Sequence, residues 1–130
     1  MKIEDQVVSI ELAVRLMELG VKQGGEFYWW QRLMPDASLD YPSTPRLCRR
    51  GQITTRDGGK VADAFSVAEL GELLPIRVNG TILVIGHLHD GWTLQYRLHN
   101  SIVHEIRDPK EADARAKLLI YLLENKLVLP

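Results

Sequence analysis

A chain of 130 residues, 45% hydrophobic and 25% charged, is one domain's worth of sequence, long enough to bury a core without a disulfide or metal staple. Sixteen Lys and Arg against 17 Asp and Glu leave a net charge of −1, which excludes blanket phosphate neutralisation and equally an acidic duplex mimic. The lone Cys48 rules out an internal disulfide and a thiolate zinc site, Met1–Asp5 lacks a signal pattern, and no apolar run approaches the ~18 residues of a span, so a bacterial-type reducing cytoplasm and no membrane are expected.

The first predicted element is a helix over Ile10–Leu19, with Ser9 as N-cap, Gly20 at the left-handed C′ position and Val21 as its hydrophobic follower. Phe27-Tyr28-Trp29-Trp30 reads as a short strand, with Phe27 and Trp29 on one face and Tyr28 and Trp30 on the other. From 35 to about 63 the pattern is irregular: Pro35, Pro42, Pro45 and Gly51 punctuate it, and Asp57-Gly58-Gly59 reads as a turn. Leu47–Arg49 and Gln52–Thr55 are the arms of a weak hairpin there. Ser66-Val67-Ala68-Glu69 is a capping box, flanked by a Phe65–Leu70 staple, and Pro75 ends the short helix by Leu74.

The strongest strand signal is Thr81–Leu88 and Trp92–Leu98 around an Asp90-Gly91 turn. That turn pairs Leu83 with Leu98, Ile85 with Tyr96 and His87 with Leu94, all on one apolar face. A three-residue loop, His99–Ser101, then pairs Leu98 with Ile102 and Tyr96 with His104, sending Ile102 and Ile106 to the core face. The last helix opens at Asp108-Pro109-Lys110-Glu111 and runs to about Glu124, with Ala112, Ala116, Leu119, Ile120 and Leu123 as its stripe. The expected fold is α+β: one domain, 1–130, an antiparallel β-meander packed on one face by an N-terminal helix, a short middle helix and a long C-terminal helix.

Chemistry has few places to sit. His87-Leu88-His89 followed by Asp90 has the spacing of a divalent-metal chelate, against the plainer reading of a turn-flanking His89 and a rim His87. Cys48 lies among Arg46, Arg49 and Arg50, which would activate a thiol, but a lone Cys in an irregular segment is more often incidental. With no P-loop, dinucleotide fingerprint or nucleophile elbow, no cofactor and no catalytic residue is implied. Arg46, Arg49, Arg50 and Arg56 form a local basic cluster, the basis of an alternative reading as a nucleic-acid or nucleotide binder; neighbouring Asp residues favour a solvated loop instead. Four consecutive aromatics cannot all face inward from one strand, so Tyr28 and Trp30, joined by Arg46, Arg49 and Arg50, are the expected partner-binding residues, for another protein or a second copy.

Several blocks together resemble a family of small uncharacterised bacteriophage, prophage and mobile-element proteins. They are Glu11-Leu12-Ala13, Leu16-Met17-Glu18-Leu19-Gly20-Val21-Lys22-Gln23, Phe27-Tyr28-Trp29, Ala64 through Pro75, and Ala112 through Asn125, in the family's order over roughly half of the chain. The resemblance implies a non-enzymatic accessory protein in a bacterial host, binding a host or phage protein, by analogy a defence factor such as a CRISPR effector. A metal-dependent hydrolase using His87 and His89 is the third reading.

Overall fold

The computed structural model describes residues 2–32, 45–51 and 58–130. The fold is α+β, with α1 (Ile10–Glu18), β1 (Phe27–Arg32), β2 (Arg46–Arg49), β3 (Gly58–Asp63), α2 (Val67–Leu73), β4 (Arg77–Val78), β5 (Thr81–Leu88), β6 (Gly91–Leu98), β7 (Ser101–Asp108) and α3 (Glu111–Glu124). The strands form two antiparallel sheets, β2-β1-β3 and β4-β5-β6-β7. The expected meander is the second sheet; the first was not foreseen.

Local signals at the helices carry through. Gly20, at φ +91, donates its amide to the Met17 carbonyl at 3.0 Å, and Val21 donates to Leu16 at 3.1 Å, closing α1 with a Schellman turn. Ser9 departs from expectation: its side chain caps nothing, and its amide donates to Asp113 Oδ1 at 2.7 Å, tying the start of α1 to α3. At α2 the capping box is complete, with Ser66 Oγ accepting from the Glu69 amide and Glu69 Oε1 accepting from the Ser66 amide. α3 starts at Glu111, because Asp108 accepts from the Lys110 amide at 2.9 Å and turns the chain one step before the helix.

α3 is the centre of the molecule. Ala112, Ala114, Ala116, Leu118, Leu119, Ile120, Leu122 and Leu123 are all buried, more than one stripe holds. A helix apolar nearly all round has packed layers on several sides. Here β6 and β7 lie on one side and α1 and α2 on others. One continuous core runs from Val8, Ala13 and Leu16 through Phe65 and Leu70 to Leu94, Tyr96 and α3.

The first sheet corrects the irregular reading of 35–63. β1 pairs with β2 on one side, Trp29 opposite Leu47, and with β3 on the other, Trp29 opposite Ala62. Leu47–Arg49 therefore is a strand arm, but its partner is β1; the Gln52–Thr55 arm lies outside the described residues. Gly58 and Gly59 are not a turn but the start of β3.

The meander corrects the register. β5 and β6 pair Leu83 with Tyr96, Ile85 with Leu94 and His87 with Trp92, so the turn is His89-Asp90, two residues off the expected pairing. A slip of two preserves every side chain's face. Gly91, at φ +135, is needed for a different reason: a Cβ there would meet the Asp108 carbonyl oxygen and Pro109 Cα, both at 2.6 Å. Between β6 and β7 the turn is the two residues His99-Asn100, with His99 at φ +55, and Leu98 faces Ser101. A bulge after Tyr96 then makes Val103 the extra residue, so Tyr96 does face His104 and Ile106 does reach the core. Ile102 does not: it pairs with Arg97 and is exposed. β4 was missed, although Asn79-Gly80, at φ +48 and +82, is a strong hairpin signal.

Candidate functional site

The aromatic run divides by face. Trp29 packs against the core and its Nε1 donates to the Val8 carbonyl at 2.9 Å. Trp30 is 6% exposed, beneath the Arg46 guanidinium, which stands 5.3 Å from the ring centroid. It is therefore not the exposed anchor that the alternation suggested: Gly58 leaves space for the ring. Tyr28 is half-buried on the same strand.

Arg46 and Arg49 lie on the edge strand β2, and Arg50 directly after it, but they are turned onto the protein's own groups. Arg49 donates through Nε and Nη2 to Glu26 Oε1, at 3.0 and 2.5 Å. Arg50 Nε donates to the Gly25 carbonyl at 2.9 Å, and its Nη2 lies 3.9 Å from Asp63 Oδ2. Arg56 lies outside the described residues. This distribution is poorly suited to cradling a phosphate, which needs donors aimed outward. Cys48 is buried in β2 at 1% exposure, out of reach of a substrate.

Asp63, which the sequence presented only as an acid diluting the arginines, organises this region. Its side chain is fully buried and accepts from the Gly24 and Gly25 amides, the latter at 2.8 Å, while the Lys60 ammonium lies against it. The Gln23 side-chain carbonyl accepts from the Asp63 amide at 2.8 Å. Burial pushes the carboxyl pKa up, but Lys60 and the two amides outweigh it and hold the group below its ordinary value. The 22–25 segment is thereby pinned to β3.

The histidines do not assemble. His87 stacks on Trp92, ring centroids 4.3 Å apart, and His89 and Asp90 form the exposed turn. Among the described residues no three His, Cys, Asp or Glu side chains come close enough to hold a metal ion, His87, His89 and Asp90 included. A strand followed by a tight turn points the two rings into different surroundings. His104 goes elsewhere, stacking on Tyr121 of α3 at 3.5 Å and 6°. Burial holds its pKa below the ordinary histidine value. Tyr96, beside it, donates its hydroxyl to the Pro75 carbonyl at 2.7 Å, and burial pushes its pKa up to about 12.

What the tertiary structure exposes instead is β5. β4 pairs with only its first residues, Arg77 opposite Ile82 and Val78 opposite Thr81. Leu83 donates its amide outward to the Ile76 carbonyl at 2.8 Å. Antiparallel alternation turns the amides and carbonyls of Ile85 and His87 to that same edge, where β4 has ended. Val84, Ile85 and Leu88 are 39%, 38% and 52% exposed. On the outer face of β6 and β7, by contrast, Gln95 donates to Glu105 at 2.6 Å and Arg97 to Gln95 at 2.7 Å, so polar groups there satisfy one another. No helix among the described residues is long and apolar enough to cross a membrane. Comparison with family models, with curated proteins and with solved structures found no match for the chain.

Proposed function

We propose that this is a non-enzymatic protein-binding module that takes up an extended segment of a partner protein along β5, as an added strand. The observation that carries this reading is the open edge itself. Thr81–Leu88 holds no Lys, Arg, Asp, Glu or Pro, the residues with which proteins usually block such an edge. The available stretch is Val84–Leu88, with main-chain groups of Ile85 and His87 to pair and Val84 and Leu88 to pack on one face. A partner's free strand fits better than a second copy. Two copies meeting antiparallel at Gly86 would drive each His89-Asp90 turn against the other's Pro75-Ile76, whereas a free strand has no turn to collide. The setting remains the one suggested by the blocks that resemble phage and prophage proteins: an accessory protein acting on a host or defence factor.

The test is a nuclear magnetic resonance titration with a lysine-flanked peptide of alternating Val and Thr. Saturable shifts at residues 84–88, weakened at least tenfold by Val84→Lys, are expected. Val84 is an exposed residue, so that variant folds normally. Shifts elsewhere, or none, overturn the reading. Concentration-dependent dimerisation of the chain alone that Val84→Lys abolishes would replace the partner strand with a second copy.

A further inference from the structure

We propose that the segment added to β5 carries a glutamate, which lies along a channel over Gly86 and Thr93 and pairs with Arg107 and Arg97. The inference rests on strand addition at β5. It starts from a glycine for which the fold itself has no use. Gly86 stands in the interior of β5, where glycine weakens a strand. Its backbone is not in the left-handed region, β5 and β6 pair without a register shift on either side of it, and a Cβ there would meet nothing within 4 Å. No bulge, bend or crowding within the chain therefore calls for it. The remaining reason for a glycine inside a strand is the close approach of something else.

The register extends that opening into a channel. Gly86 is opposite Thr93, and Thr93 is opposite Arg107, so the three form one row across β5, β6 and β7. The row belongs to the outer face, since Leu94, next to Thr93, is in the core. Between the free edge and Arg107 stand only a hydrogen and a threonine side chain. The groove there holds about 260 Å³ and is lined in part by Val84, Gly86, Leu88, Thr93, Arg97 and Arg107. That is below the roughly 300–1,000 Å³ of small-molecule sites and suits a single side chain. Among the described residues, the only charged groups lining it are the two arginines. Arg97 Nε donates to Gln95, Gln95 Nε2 donates to Glu105 Oε2, and Arg107 Nε donates to Glu105 Oε1. This chain holds both guanidinium groups and occupies both oxygens of Glu105. The Nη groups of Arg97 and Arg107 have no acceptor among the described residues, and they present the paired donors that a carboxylate takes. Leu83 turns its amide to the free edge, so Gly86 does not. In antiparallel addition a residue opposite Gly86 is thus in a non-hydrogen-bonded pair, where side chains come closest. With strands ~4.8 Å apart, its backbone stands roughly 14 Å from that of Arg107. Two long side chains reaching toward each other span that gap, which selects glutamate over aspartate.

The probes are versions of the lysine-flanked Val and Thr peptide with Glu, Asp, Gln or Lys at the central position, titrated into the full chain at pH 7 and followed by amide and arginine Nε resonances. The Glu peptide should bind about fivefold tighter than the Gln peptide, the upper range for an exposed ion pair, and tighter than the Asp and Lys peptides. The chain's net charge of −1 would by itself favour Lys, so a Glu preference reports the arginines. The Arg107 Nε resonance should move with the Glu peptide and not with the Gln peptide, a wild-type readout that needs no variant. Gly86→Val fills the channel while leaving the edge and both arginines in place, and it folds because nothing lies within 4 Å of the new Cβ. Gly86→Val and Arg107→Gln should each bring the Glu and Gln peptides to equal affinity. Binding of the Gln peptide at residues 84–88 with the Glu peptide no tighter than the Gln or Asp peptide overturns this inference and leaves strand addition standing. Binding of none of the peptides there overturns both. A Glu preference that survives either variant also overturns the inference.

Discussion

Gly58→Val lowers the unfolding free energy by about 3 kcal/mol, at the upper end of the cost of overpacking a well-filled site. A Cβ at Gly58 would sit 2.6 Å from both Cε2 and Cη2 of Trp30, closer than real Cβ contacts come. The ring has no easy way out, since it is 6% exposed with the Arg46 guanidinium over it. Urea denaturation followed by tryptophan fluorescence measures the loss as a lower midpoint at unchanged slope. The double variant Gly58→Val/Trp30→Leu should lose less than the sum of the single changes, because one of them removes what the other collides with. Additive losses, or a cost below about 1 kcal/mol for Gly58→Val, would show that Trp30 does not depend on the missing side chain.

Asp63→Asn costs about 2–3 kcal/mol, less than the full penalty for splitting a buried ion pair, because Lys60 and Arg50 are 40% and 57% exposed and keep water for company. The one oxygen of the amide can still accept from Gly24 and Gly25, which both donate to Oδ2, but its NH₂ group then stands where Oδ1 meets the Lys60 ammonium. In the folded protein Lys60 and the two glycine amides hold the wild-type carboxyl below its ordinary value, against the upward push of burial. Between the folded and unfolded pKa values the unfolded chain binds more protons, so stability rises with pH there. The contribution is fully present above the unfolded value and is lost as pH falls through the folded one. Denaturation at several pH values from 7 to 2 should therefore show an acid-dependent loss in wild type that is smaller in Asp63→Asn. Identical pH profiles would mean that Asp63 is not the group whose ionisation holds the 22–25 segment.

Both predictions rest on residues whose importance is hard to read along the chain. Gly58 stands in Asp57-Gly58-Gly59, a sequence that speaks for a turn, and only its place diagonal to Trp30 makes it a strand residue. Asp63 stands among acids and bases that look like an ordinary solvated face. Its partners are 38 and 39 residues away at Gly25 and Gly24, a distance at which spacing carries no signal. Trp30 shows the same limit from the other side: alternation separated it from Trp29, but could not tell that a glycine and an arginine would cover it. The exposed β5 edge was hidden for a related reason. An apolar run such as Thr81–Leu88 reads the same whether its neighbour is long or, like Arg77-Val78, two residues.

Features set within one turn of chain were legible from residue types alone: the Ser66–Glu69 capping box, the Gly20 stop, and the α+β class with its three helices and meander. The hydrogen bonds of the capping box and the Gly20 stop close between residues three to five apart, and the meander's long strands are joined by two-residue turns, so neighbours in sequence are the neighbours that matter. Face parity in the hairpin was legible too, since a slip of two leaves it unchanged. The exact pairing, the bulge that puts Val103 out of step, the first sheet, the Asp63 clasp and the enclosure of His104 against Tyr121 were decided by the tertiary structure. Each depends on which distant surfaces meet around α3, and that choice belongs to the packed core as a whole.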